Sequence, residues 1–344
     1  MFTQPADFPE YLLSEALAEG WGFRATSLCY QAVGFGSHHW LAADSGGLNL
    51  FATVDDLSEM RRDHTDTANA VFGRLDQAFE SAQSLSRDAG LDFVVAPLPA
   101  SDGRVLRRLT DRYSLVVHPY LADCQSRQDG EFESSADRDA VLAMLVRLHS
   151  AKATRPPAET FEVPGRAALL AAMRSTGEPW RAGPYGTRCR DLLARHVADL
   201  GALLEAFDEL VGRVRGRNGR MVITHGEPNA SNVLKTPTSF VFVDWGSALL
   251  APPERDLWEL AESDPGVLDA YSVATGTAID TDALALHRMW YDLAEISEYV
   301  SWFRGDHDDS ADAAEAWQNL QYFLRPAQRW SNLLASPAGQ GGFS

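Results

Sequence analysis

The spacing of apolar residues changes near residue 120. Before it, short apolar runs dominate. Residues 26-TSLCYQAV-33, 39-HWLAAD-44 and 48-LNLFATV-54 are bounded by 34-GFGS-37 and by Gly46–Gly47, and predict three strands separated by turns. From Thr67 to Asp88 the period lengthens to that of a helix, with Val71, Leu75, Ala78, Ala82 and Leu85 on one face, and Gly90 stops it. Runs 93-FVVAPLP-99, 104-RVLRRL-109 and 113-YSLVVHPYL-121 return to strand character. These segments predict a small mixed sheet with one helix packed on it.

Beyond residue 120 the helical period prevails. A polar, loop-like stretch (122–137) leads into a helix over 138–151, whose stripe includes Val141, Leu142, Leu145, Val146 and Leu148. Helical patterns recur near 165–174, 186–214, 255–262, 265–272 and 282–304. Between them, 221-MVIT-224 reads as a short strand, and 232-NVL-234 with 240-FVFV-243 as two arms of a hairpin turning through 235-KTPTS-239. The acidic 306–315 stretch reads as a solvated loop and helix start. The expected class is α+β, with no internal repeat. An N-terminal lobe would cover 1–117, a hinge 118–122, a mainly helical lobe 123–335 and a flexible tail 336–344.

Composition adds exclusions. The chain has 344 residues and a formal net charge of −18, so nucleic acid is a poor partner. No apolar run approaches the roughly 20 residues of a membrane span. The first twenty residues carry neither a basic nor an apolar signal region, and a cytoplasmic location is expected. Cys29, Cys124 and Cys189 show no metal spacing and predict no disulfide framework. An acidic surface suits a cationic small molecule. The only lysines are Lys152 and Lys235. Oligomeric state is left open.

The chemistry concentrates in 224-THGEPNASNVL-234 and 240-FVFVDWG-246. If the hairpin turns near Pro237–Thr238, Asn232 stands opposite Val243 and Asp244 follows at the same end. Glu227 lies in the loop feeding that end. A carboxylate, an amide oxygen and a second carboxylate would then share one mouth. Phosphoryl transfer uses such a set: one carboxylate orients the attacking hydroxyl, while an amide and an acid hold Mg²⁺, which keeps several waters.

His225-Gly226-Glu227-(x)4-Asn232 followed by Asp244 resembles the H-G-D-x-x-x-x-N and D-x-x motifs of aminoglycoside phosphotransferases and choline-kinase-like enzymes. These share the protein-kinase-like two-lobed fold. The run 251-APPERDLWEL-260 and Trp245 are similar to members of the spectinomycin phosphotransferase kind. The resemblance spans nearly the whole chain. It implies Glu227 at the catalytic-base position, Asn232 and Asp244 as Mg²⁺ ligands, and ATP or GTP as phosphate donor. Gly34, Gly36 and Ser37 would lie over the phosphates. Thr53 would take the phosphate-binding position of the third strand, and Val117, His118 and Tyr120 the adenine-facing hinge. His225 and Asp256 would be structural supports of the catalytic loop.

Two positions depart from the pattern. Glu227 replaces Asp, a carboxylate shift of roughly 1 Å that can cost about 10²-fold in rate, although Pro228 could set the loop back. Thr53 stands where the third strand should carry Lys, and no lysine precedes Lys152. Arg61, Arg62 and Arg74 are candidate substitutes with different reach. The lysine's usual partner acid would be Glu80 or Asp76. The acceptor would be cationic or sugar-like, met by Asp292, Glu295 and Glu298 at i, i+3 and i+6 beside Trp290; Glu178–Trp180 is a further candidate. The reading is a Mg²⁺-dependent phosphotransferase acting on a small-molecule hydroxyl. The alternatives are a non-catalytic kinase-fold binder and an enzyme with another donor or transferred group.

Overall fold

The computed structural model describes residues 1–125, 132–152, 156–217 and 219–335; the predicted tail and part of the 122–137 loop lie outside them. In chain order the elements are α1 (Glu10–Trp21), β1 (Ser27–Gln31), β2 (His38–Ala43), β3 (Asn49–Asp56), α2 (Ala68–Arg87), β4 (Leu106–Arg108) and β5 (Tyr113–Pro119). They continue with α3 (Ser135–Ser150), α4 (Arg166–Arg174), α5 (Gly186–Arg215), β6 (Val222–Thr224), β7 (Val233–Lys235), β8 (Phe240–Phe242) and β9 (Leu249–Ala251). The remainder is helical: α6 (Glu254–Ser263), α7 (Gly266–Thr275), α8 (Thr281–Arg304), α9 (Ala311–Phe323), α10 (Pro326–Arg329) and α11 (Ser331–Ala335). The chain divides into two compact units. One comprises Met1–Arg61, Asp66–Glu159 and Met221–Thr277; the other Arg62–Thr65, Thr160–Arg220 and Ala278–Ser344.

The first unit holds an antiparallel five-stranded sheet in the order β1-β2-β3-β5-β4. Alternation along each strand sends successive side chains to opposite faces. Trp40, Ala42, Leu50, Ala52, Val54, Tyr113, Leu115 and Val117 form one core with Leu13 and Leu17 of α1. That helix is an addition to the one-helix expectation: Leu13, Leu17 and Gly20 make a buried stripe, and Gly22 ends it in the left-handed region. Phe51, Thr53 and Asp55, with Ser114, Val116 and His118, belong to the other face by register. There His118 meets Phe79 of α2 edge-on at 6.1 Å.

Residues 93–99 are a correction. They form no named strand: Phe93 and Val95 share backbone bonds with Phe242 and the Leu98 N–H donates to the Val117 carbonyl, but Pro97 and Pro99 have no N–H to continue a ladder. Further along, β6 pairs with β9 and β7 with β8, both antiparallel. The β7–β8 ladder pairs Val233 with Phe242, and the Val243 N–H donates to the Asn232 carbonyl. Asn232 therefore stands opposite Val243, the register that the hairpin spacing predicts. A 3₁₀ turn, Trp245–Ser247, follows β8, and Gly246 lies against Leu75 and Phe79 of α2.

In the second unit α4, α5 and α9 all contact α8, whose buried face includes Leu286, Leu293, Ile296, Val300 and Phe303. Asp280 caps α8 by accepting from the amides of Asp282 and Ala283. No helix among the described residues is long and apolar enough to cross a membrane.

Candidate active site

The loop between β6 and β7 is held by one carboxylate. Asp256, in the first turn of α6, is fully buried. It accepts from the backbone N–H of His225 (2.8 Å) and of Gly226 (2.7 Å) and from His149 Nε2 (3.1 Å). Burial alone would raise its pKa; the His149 hydrogen bond and the Arg255 charge outweigh burial and hold it below the usual carboxylate range. His149 Nδ1 is paired with the Tyr271 hydroxyl at 2.9 Å, and because the carboxylate can only accept, the ring donates its Nε2–H to Asp256. Gly226 has φ +108°, and a Cβ there would come within 2.5 Å of the Arg255 guanidinium. Arg255 in turn donates to Thr224 Oγ1 (2.9 Å) and the Ser247 carbonyl (3.0 Å). Only glycine fits that crossing.

His225 joins this loop to the end of β8. Its Nε2 donates to the Val243 carbonyl at 2.7 Å, and its Nδ1 accepts from the Glu227 amide at 3.3 Å. The ring lies between Phe242 and Trp245, at 5.3 and 4.8 Å. Burial lowers its pKa, which keeps the ring neutral and its tautomer single. Trp245 is itself buried and donates to the Phe242 carbonyl.

Glu227 and Asn232 are both half-buried. Asn232 Nδ2 donates to the Glu227 carbonyl at 3.1 Å, so its Oδ1 is the atom offered outward as a ligand. The turn between them is closed by Asn229, whose Oδ1 accepts from Ser231 and whose carbonyl accepts from Asn232. Asp244 is exposed and left-handed, at φ +61° and ψ +69°. A non-glycine residue there stores on the order of 1 kcal/mol of strain, a feature that clusters at functional sites. An amide oxygen and an exposed carboxylate are hard donors, and their chemistry fits a hydrated Mg²⁺ completed by waters and phosphate oxygens. Among the described residues no group of three His, Cys, Asp or Glu could hold a metal by itself.

A profile described as the phosphotransferase enzyme family matches residues 68–290. The chain belongs to this family. Protein StrN of Streptomyces griseus is 31% identical over 261 residues, covering 73% of this chain and 77% of that protein. Among solved structures, spectinomycin phosphotransferase APH(9)-Ia in complex with ADP and spectinomycin aligns with TM-score 0.72 at 15% identity, over 93% of this chain and 96% of that one. Choline kinase LicA from Streptococcus pneumoniae aligns with TM-score 0.54 at 14% identity, over 92% and 98%. The fold is thus the protein-kinase-like one of the phosphotransferase family, an antiparallel N-terminal sheet followed by a mainly helical remainder.

Against that family pattern the β3 position is distinctive. Thr53 is buried and its hydroxyl meets His39 Nδ1 at 3.1 Å. Two residues on, Asp55 is 2% exposed. Ser37 Oγ donates to its Oδ1 at 2.7 Å, while its Oδ2 has no partner. Burial, with the Asp244 charge adding to it, lifts Asp55 to about 6. The bend 34–37 lies between β1 and β2, Gly34 and Gly36 are left-handed at +69° and +97°, and the Ser37–Asp55 bond ties the bend to β3. Neither Asp55 nor His39 stood out in the sequence, because cross-strand register brings them together. The candidate substitute Arg74 is occupied by Asp66 in a bidentate pair, and Arg61 donates to the Ser58 carbonyl. Glu80 is exposed; Asp76 is half-buried with a raised pKa, from burial first and Glu80 second.

At the end of β5, Val117 faces the α1 core, Tyr120 is exposed, and His118 Nε2 is buried without a partner. Burial holds His118 neutral, at about 4. In the second unit Asp292 is a correction to the acceptor reading. It has no exposed surface and takes Arg288 at 2.7 Å, Arg329 at 2.7 and 3.0 Å, and Trp330 Nε1 at 2.8 Å, so it is a structural anion. Glu295 accepts from the Tyr299 hydroxyl (2.7 Å), Glu298 is exposed, and Trp290 Nε1 donates to the Glu162 carbonyl. Trp180 is buried with Nε1 on the Ser175 carbonyl.

Proposed function

We propose that the protein is a nucleotide- and Mg²⁺-dependent O-phosphotransferase acting on a hydroxyl of a cationic or sugar-like small molecule, in the range of aminoglycosides, aminocyclitols and amino sugars. The observation that carries the reading is the loop locked by Asp256 and His225. It fixes the backbone on both sides of Glu227 and ties Asn232 to it, while Asp244 stays exposed. In this reading the Glu227 carboxylate orients the acceptor hydroxyl and receives its proton as the γ-phosphate transfers in line. Asn232 Oδ1 and Asp244 would hold Mg²⁺, which when bound neutralises charge on the phosphates. The 34–37 bend covers the phosphates, and His118 and Tyr120 at the strand end face the base; Val117, placed in the sequence reading beside them, turns its side chain into the α1 core instead. Glu295, Glu298 and Trp290 remain candidates for the acceptor. The donor is ATP or GTP, and the setting cytoplasmic.

A specific observation favours a second reading. Thr53 in place of lysine, beside the buried carboxylate of Asp55, is what a non-catalytic kinase-fold binder would tolerate. Thermal shift with ATP, GTP and ADP, with and without Mg²⁺, on wild type and Asp244→Ala separates the two, because a ligand that binds the native state raises its melting temperature. A shift that needs both Mg²⁺ and Asp244 supports the enzyme. No shift with any nucleotide at millimolar concentration moves the assignment to the binder.

A further inference from the structure

A phosphotransferase without its β3 lysine needs another donor toward the nucleotide's phosphates, and the strand beside Thr53 carries one. His39 is the cross-strand partner of Thr53 in the β2–β3 ladder. Its ring is fixed on two sides. Nδ1 is hydrogen-bonded to Thr53 Oγ1 at 3.1 Å, and the ring stacks on Phe51 at 5.2 Å and 26°. The other nitrogen, Nε2, points to the glycine bend and lies 3.4 Å from where a Cβ on Gly34 would be. Among the described residues Nε2 makes no hydrogen bond, so one ring atom is held in place under the bend with its capacity unused.

We propose that His39 does the work of the missing lysine: with the Thr53 hydroxyl donating to Nδ1, Nε2–H is the donor to a phosphate oxygen of the bound nucleotide. The inference rests on the phosphotransferase reading and names a residue that its sequence motifs do not include. A neutral N–H replaces an ammonium, which changes the strength of the contact but not its direction, because an imidazole held by Thr53 and Phe51 has little freedom to lose on binding. The groups around it agree with a neutral ring. Removal from water, then the Met1 ammonium, His118 and His38, hold the imidazole near 3. Met1 itself donates to the carbonyls of Gly34 and Ser37. Asp55, two residues beyond Thr53 on the same side of β3, is already bonded to Ser37.

The test is calorimetric binding of ADP and of adenosine to wild type, His39→Leu, His39→Gln and the double variant His39→Leu/Thr53→Lys, each checked for an unchanged melting temperature. His39→Leu is expected to lose roughly tenfold or more in ADP affinity, the usual worth of one hydrogen bond to a charged group, and to keep its adenosine affinity. His39→Gln keeps an N–H donor and should stay within about threefold of wild type. Thr53→Lys restores the family's own donor and should recover ADP binding in the His39→Leu background. ADP affinity unchanged in His39→Leu, or equal losses for ADP and adenosine, overturns the assignment. Wild type that binds neither ligand overturns the phosphotransferase reading itself, which is a separable result.

Discussion

Replacing Asp256 by Asn tests whether one carboxylate sets the whole loop between β6 and β7. The native carboxylate accepts three N–H donors, from His225, Gly226 and His149. An asparagine oxygen placed at the Oδ2 position keeps the His225 and His149 bonds, but its NH₂ then faces the Gly226 N–H. The reverse orientation loses two bonds rather than one. The smallest cost is therefore one charge-assisted hydrogen bond, about 1.5–3 kcal/mol, plus one stranded buried donor, about 1–3 kcal/mol. The expected loss is about 3–5 kcal/mol, in the range found when one partner of a buried pair is removed. In calorimetry that amounts to a fall of about 5–10 °C in melting temperature for a chain of this size.

The pH dependence carries the sign. Asp256 has a depressed folded pKa, so its contribution is full above the ordinary carboxylate value of about 3.9 and is lost as pH falls through the folded value. The gap between wild type and Asp256→Asn should be flat from pH 5 to pH 8 and should close below about pH 4. Hydrogen exchange adds a local readout: the Gly226 amide should lose protection, and turnover should fall by about 10²-fold as Glu227 loses its position. A stability loss under about 1 kcal/mol with Gly226 still protected would refute the view that Asp256 organises the loop.

Three further outcomes follow from the same geometry. Gly226→Ala forces a Cβ to 2.5 Å from Arg255 at φ +108°; a loss of about 3 kcal/mol or more is expected in denaturant unfolding, and a neutral result would contradict the crossing. His118→Leu removes a buried imidazole whose Nε2 has no partner. Because its folded value is about 4, below the ordinary 6.5, the native ring resists a proton that the unfolded chain accepts. Wild-type stability should therefore fall as pH drops from about 6.5 toward 4, and the leucine variant should remove about 1.4 kcal/mol per pH unit of that slope. Asp292→Asn leaves Arg288 and Arg329 facing an uncharged group, and should cost about 3–5 kcal/mol with the KM for acceptor unchanged; a raised KM at wild-type stability would return Asp292 to the acceptor site.

Much of this was legible locally. The α2 stripe follows from the 3.6 period, and the β7–β8 register follows from two apolar arms and a Pro-containing turn. That register sets Asn232 against Val243 with Asp244 next. Other features were present but outweighed: α1 shows Leu13 and Leu17 ahead of a stop at Gly22, yet a chain of strands surrounds it. The apolar run at 93–99 looks like a strand until its two prolines are given their missing donors. What could not be read depends on distant partners. Arg329 lies 37 residues from Asp292, so an acid that looks solvated on a helical wheel is the centre of a buried cluster. Asp55 and His39 acquire their surroundings from the β2–β3 register and the glycine bend, and neither carries a motif of its own.

The two departures from the family pattern are unequal in structural terms. Glu227 sits in a loop whose backbone is pinned on one side by Asp256 and His225 and on the other by Asn232, so the longer side chain works from a fixed base, and buried Pro228 limits how far the segment can shift. The β3 change is electrostatic. Where an ammonium would balance phosphate charge, the face offers a neutral imidazole, a hydroxyl, and in Asp55 a buried carboxylate held near 6. A triphosphate arriving there raises the cost of ionised Asp55 further. In the proposed phosphotransferase, charge balance would then come from a cation held at the Asn232–Asp244 end or from a proton on Asp55. Nucleotide affinity should accordingly depend on divalent cation more steeply than in a site with its own lysine, and Asp55→Asn should strengthen nucleotide binding above pH 6 while leaving it unchanged below. An isothermal titration series in pH and Mg²⁺ measures both, and an affinity for nucleotide that is indifferent to Asp55 would place the phosphates away from β3.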